Sequence, residues 1–206
     1  MTRFWVPTLL IAVLLATSHT ARAQATFHAS GEFANTIVNA NGGFLDIFAS
    51  RGCISDPCVT NSTILFIFGI LPTANGVVFL DGGGVIPDSA FDASSPEHAS
   101  LNIDTSQLDL SQGGIVACSG SPATGFTCQQ APTGVIQVEW KRTRAGALTD
   151  LEENHTSLGP FVIDMHKDQD FFTATASGSF FGTSFSDSTR ARIGSNKDTT
   201  ISHSKQ

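Results

Sequence analysis

Val135-Ile136-Gln137-Val138-Glu139-Trp140-Lys141 alternates apolar and polar side chains without a break. In an extended chain successive side chains point to opposite faces, so Ile136, Val138 and Trp140 share one face while Gln137, Glu139 and Lys141 share the other. That is the pattern of a half-buried β-strand. A second stretch, Ile64-Leu65-Phe66-Ile67-Phe68-Gly69-Ile70-Leu71, is apolar on both faces. A strand of this kind is expected in the middle of a sheet, with cover on each side.

Outward from these two segments the chain keeps the same character. Gly, Ser, Thr, Phe, Val and Ile dominate, turn residues recur about every 8 to 12 positions, and no stretch carries a helical apolar period. The spacing predicts strands over 26–36, 44–50, 63–70, 77–80, 99–104, 134–142, 159–166, 170–181, 184–193 and 199–203. Asn41-Gly42-Gly43 and Asp81-Gly82-Gly83-Gly84 read as turns, since glycine reaches positive φ without penalty. Neither has the lysine and helix start that a phosphate-binding loop needs. Long loops are expected over 87–98, 111–132 and 144–158. Residues 29–36 echo residues 176–183, which suggests two similar strands, neighbours in one sheet. The fold class is therefore all-β: a single antiparallel β-sandwich, with a β-barrel as the alternative.

The N-terminus is read separately. Arg3, the apolar run from Phe4 to Ala16 and the triplet Ala21-Arg22-Ala23 follow the order of a secretory signal. The run is too short for a membrane span of roughly 20 residues and contains Pro7. Residues 1–23 are expected to be removed, leaving 24–206 as a single exported, secreted β domain that does not span a membrane. That mature chain holds 9 basic and 18 acidic residues. From 24 to 140 there are 10 acidic residues and one basic, Arg51, while from 141 onward the two signs balance. Nucleic acid and anionic membranes are excluded as natural partners. The acidic excess reads either as surface solvation or as a face for cations or a basic partner.

Four cysteines in an exported chain imply disulfides. Cys53 with Cys58 and Cys118 with Cys128 each bracket turn-forming residues, so two local bonds are expected. Neither spacing is that of a zinc ribbon.

Candidate chemistry is sparse. His28, His98, His155 and His166, with Asp164 and Asp168, supply residue types for a serine hydrolase, yet Gly-x-Ser-x-Gly is missing and its nearest imitation, Ser119-Gly120-Ser121, lies between the second cysteine pair. Glu32, Glu97, Glu139, Glu152 and Glu153 show no spacing that singles out a glycosidase pair. Glu139 is read as an outward carboxylate beside an inward Trp140. A structural calcium would use the oxygen-rich groups Asp150, Glu152, Glu153 and Asn154, or Asp164, Asp168 and Asp170, but neither follows the twelve-residue calcium loop. Sugar platforms are disfavoured, because the mature chain has no tyrosine and one tryptophan, and most of its 15 phenylalanines are expected in the core. Phe171-Phe172 and Phe180-Phe181 put one ring on each face of their strands. Asn61-Ser62-Thr63 and Asn154-His155-Thr156 are glycan acceptors in a eukaryotic source. With no catalytic, cofactor or metal residue assigned, the sequence favours a non-enzymatic module that binds an extracellular ligand or surface through its three long loops. A secreted hydrolase and a purely structural envelope or matrix protein are the alternatives.

Overall fold

The computed structural model describes residues 25–40, 42–54, 61–73, 76–108, 114–121, 123, 125–130, 133–158, 161–180 and 183–205. Residues 1–23, expected to be a signal segment, and Cys58 lie outside them. The described residues form twelve strands: β1 (Ala25–Ala40), β2 (Gly43–Ile54), β3 (Asn61–Thr73), β4 (Gly76–Ile86), β5 (Phe91–Ser95), β6 (His98–Asp104), β7 (Gly114–Ser121), β8 (Gly125–Gln130), β9 (Val135–Arg142), β10 (Leu148–Leu158), β11 (Phe161–Phe180) and β12 (Thr183–Lys205). Two single-turn 3-10 segments, Asp88–Ala90 and Thr105–Gln107, complete the list.

Every ladder is antiparallel, and the order is β5-β6-β9-β11-β12-β1-β2-β3-β4-β7-β8. β9 and β10 share one edge of the long β11: β9 lies along 174–180 and β10 along 161–171. The all-antiparallel β class holds. The expectation of two separate packed sheets gives way to one continuous ladder that curls into a half-barrel.

The inner face of that curl is the core. Ala34 and Val38 of β1, Leu45 and Ile47 of β2, Leu65 and Ile67 of β3 and Leu80 of β4 meet Leu101 of β6 and Ile136, Val138 and Trp140 of β9 in one apolar cluster. Trp140 is 0% exposed, and its indole Nε1–H donates to the Asn35 carbonyl at 3.1 Å. Across the mouth of the curl β5 lies against β1 and β2. The Arg51 guanidinium of β2 donates to the carbonyls of Asp88 and Phe91 there, which ties the edge of the sheet to its middle. Burial of this cluster supplies the main driving force for folding.

Several segments depart from the sequence reading. The glycines of Asp81-Gly82-Gly83-Gly84 are not a turn but the interior of β4. A Cβ at Gly82 would stand 1.8 Å from the Gly114 carbonyl oxygen, and one at Gly83 2.0 Å from that of Leu65, so glycine here admits close backbone approach where β4 is clamped between β3 and β7. Gly82, at φ +141°, also takes a conformation other residues avoid. The expected loops hold strands as well: β5 in 87–98, β7 and β8 in 111–132, and β10 in 144–158. The pairs 159–166 with 170–181, and 184–193 with 199–203, are each one long strand bent at register shifts. Gly42 does sit at a hairpin, with Ala40 paired to Gly43 and its own φ at +83°, while Asn41 lies outside the described residues. Residues 29–36 of β1 and 176–180 of β11 flank β12 on opposite sides and are not direct neighbours.

Cys118 and Cys128 face each other across the β7–β8 ladder and are disulfide-bonded. The second local bond, Cys53 to Cys58, involves a residue outside the described ones.

Candidate functional site

Two surfaces gather chemistry, and the sequence flagged the residues of only one. On β10, β11, β12 and β1 the register sets His155 opposite Asp164 and Ser202, and Glu153 opposite His166, Thr200 and His28. All of these but His28 line an open cleft of about 400 Å³ together with Asn154 and Met165. His155 Nδ1 bonds Asp164, while His166 lies 3.6 Å from Glu153 and 3.9 Å from Asp198. The Thr200 hydroxyl bridges Asp198, at 2.9 Å, and His28 Nδ1, at 3.0 Å.

A serine triad would require the base between the nucleophile and the acid. Here the acid intervenes: Ser202 is separated from His155 by the Asp164 strand, and strands lie about 4.8 Å apart. Among the described residues no group of three or more His, Cys, Asp or Glu has the geometry of a metal site.

Four of the residues named for calcium face lysines. Lys167 pairs with Asp150 at 2.7 Å and lies 3.9 Å from Glu152, and Lys197 pairs with Asp170 at 2.9 Å and lies 3.8 Å from Asp168. The hydroxyl of Thr149 and the Lys197 ammonium hold the Asp170 carboxyl below the usual carboxylate range. The candidate carboxylates for glycoside chemistry are also dispersed. Glu139 is exposed and bonds His98, with Trp140 turned inward as its alternation requires, and Glu97 bonds Arg142. Phe171 and Phe172 receive the guanidinium groups of Arg192 and Arg142 at 4.4 and 4.2 Å.

The second surface is the outer face of β1–β4, β7 and β8. Along β1–β4 and β7 one alternate set of residues feeds the core cluster and the other points away from it, and β8, exposed throughout, carries the outer rows to the edge. In cross-strand rows that outer set reads Phe33, Ser50, Ile64 and Val85; then Asn35, Phe48, Phe66 and Gly83; then Ile37, Asp46, Phe68, Asp81, Val116 and Gln130; then Asn39, Phe44, Ile70, Phe79, Cys118 and Cys128. Phe126 closes the β8 edge.

The rings touch across strands. Phe33 meets Phe48 at 6.0 Å between centroids, Phe48 meets Phe66 at 6.3 Å, Phe44 meets Phe68 at 5.6 Å, and Phe79 meets Phe126 at 5.3 Å. None of these seven phenylalanines belongs to the inner cluster. Phe33 is buried by its neighbours, the central rings are half-buried, and Phe126 is 45% exposed. Contiguous apolar surface of this kind marks an interaction site more often than a random surface does.

Two carboxylates sit inside the aromatic field, flanking Phe68 in one row. Asn35 Nδ2 donates to Asp46 Oδ1 at 2.6 Å, yet burial among the rings outweighs that bond and pushes the Asp46 carboxyl up to about 6. Burial also raises Asp81, against a hydrogen bond from the Gly82 N–H.

The sequence reading assigned most phenylalanines to the core and so missed this surface. Its signal was present: β2 and β3 have apolar residues on both faces, and one apolar set suffices for the core. Compared with protein-family models, curated proteins and solved structures, the chain matches none.

Proposed function

We propose that this is an exported, non-catalytic binding module that engages its partner through the phenylalanine face of β1–β4, β7 and β8. One observation carries the reading: seven phenylalanine rings in cross-strand contact on the face turned away from the core. A folded chain keeps that much aromatic surface half-open at a solvation cost, which a partner's apolar surface would remove. A partner laid on this face would give β1–β4 the second apolar layer that a strand apolar on both sides calls for, the two-layer arrangement of a sandwich. Export by removal of residues 1–23 and a Cys53–Cys58 bond belong to the same reading. The working surface moves from the loops to a sheet face, since three of the loops named for recognition contain strands.

The test uses the mature chain 24–206 on a mildly apolar chromatographic surface, with the double variant Phe66→Ser, Phe68→Ser beside it. The wild type should be retained, and the variant should elute early with an unchanged circular dichroism spectrum. Equal retention of the two would remove the face from the account. Turnover of ester, glycoside or peptide substrates abolished by His155→Ala would defeat the non-catalytic reading.

A further inference from the structure

We propose that the occupant of the phenylalanine face is a cationic amphipathic peptide segment, whose apolar side chains lie on the rings and whose lysines or arginines meet Asp46 and Asp81. The inference rests on the reading of that face as the binding surface and adds the chemistry of the partner.

Charge complementarity carries it. The outer set of β1–β4, β7 and β8 contains two carboxylates and no basic side chain. Residues 24–140 hold ten acidic residues against Arg51 alone, and Arg51 points to the inner side, where its guanidinium is committed to the Asp88 and Phe91 carbonyls. The groups around Asp46 are Asn35 and Ile37 on β1, Phe44 and Phe48 on β2, and Phe66 and Phe68 on β3; those around Asp81 are Phe68 on β3, Phe79 on β4, Val116 on β7 and Gln130 on β8. None is a cation. At the margin Arg192 of β12 is paired with Asn35 and stands over the Phe171 ring.

A carboxylate among aromatic rings is costly when it has no counter-charge. An ammonium or guanidinium laid between Asp46 and Asp81 would find ring faces as well as carboxylates, two attractions of the same sign. A second copy of this chain would instead bring like charges together at neutral pH.

The measurement is titration calorimetry of the mature chain with three synthetic peptides of about ten residues, enough to cross the face in extended form. At every second position, so that they share one face, leucine alternates with lysine, with serine or with glutamate, and the positions between are serine. The lysine peptide should bind at pH 7.5 at least about tenfold more tightly than the other two, and should weaken as pH falls through 6, because Asp46 then becomes neutral. Asp46→Asn with Asp81→Asn should lose that advantage and its pH dependence, while Asp92→Asn with Asp104→Asn, an equal change of net charge away from the face, should keep both.

Equal binding of the lysine and serine peptides would overturn the cationic partner but leave the apolar face standing. Failure of all three, with no effect of Phe66→Ser, Phe68→Ser on retention, would remove both. Association of the chain with itself that strengthens on acidification would assign the face to a second copy. Partition into phosphatidylcholine vesicles without binding of the lysine peptide would assign it to lipid.

Discussion

Asp46 shows most directly how one residue's surroundings become a measurable property. Its folded carboxyl keeps its proton up to about pH 6, against an ordinary value of 3.8. The native state therefore binds more protons than the unfolded chain between those limits, and stability falls as pH rises through that window. Above pH 6 the ionised carboxylate costs about 3 kcal/mol on this basis. Asp46→Asn should raise the midpoint of urea unfolding at pH 7.5 and leave it unchanged near pH 3.5; a destabilised variant at pH 7.5 would contradict the desolvation account. Trp140 is the opposite case, a large ring wholly inside the curl. Trp140→Ala should cost about 3 to 5 kcal/mol in the same assay. Trp140→Phe should cost about 1 to 2 kcal/mol, chiefly because the Asn35 carbonyl loses its donor.

At the scale of elements, what was legible depended on whether a strand has one dry and one wet face. β9 does, and its alternation gave its bounds, its inward tryptophan and its outward glutamate. β10 is an edge strand with exposed Leu148, Leu151, Glu153 and His155, so no apolar period marks it, and 144–158 reads as a loop. β7 and β8 escape for a similar reason, being glycine-, serine- and glutamine-rich at the other edge. The four-residue run Asp81–Gly84 has turn composition, and only the approach of β3 and β7 explains it as strand. Gly82→Val should therefore unpair β4 from β7 and cost about 3 kcal/mol or more, visible as faster amide exchange along Val77–Gly83. Cys118→Ser with Cys128→Ser should release the β7–β8 hairpin at a cost of about 2 to 3 kcal/mol, with exchange rising there first. Non-reducing peptide maps should show Cys118 joined to Cys128 and Cys53 to Cys58.

For the whole molecule, one curled sheet divides the apolar residues into an inner set that folds the chain and an outer set left at its surface. Composition could count the phenylalanines but not divide them, because the division depends on long-range register, such as Phe48 opposite Phe66 and Phe79 opposite Cys118. The histidine and carboxylate residues were visible as types, and the ladder explains why they form partnered pairs across strands and not a triad. Export makes a separate statement about the whole chain: the intact mass of protein recovered outside the cell should match 24–206 with four hydrogens fewer than the reduced chain. Retention of residues 1–23 would contradict it.

The central claim, that the outer phenylalanine face is the working surface, is tested most directly by carbene footprinting of the mature chain with and without the leucine–lysine peptide. The account predicts labelling of Phe66, Phe68, Phe79 and Phe126 in the free protein, strong protection of them in the complex, and no labelling of Trp140 in either state. Rings that are already silent in the free monomer, or that stay labelled when the peptide is bound, would contradict it.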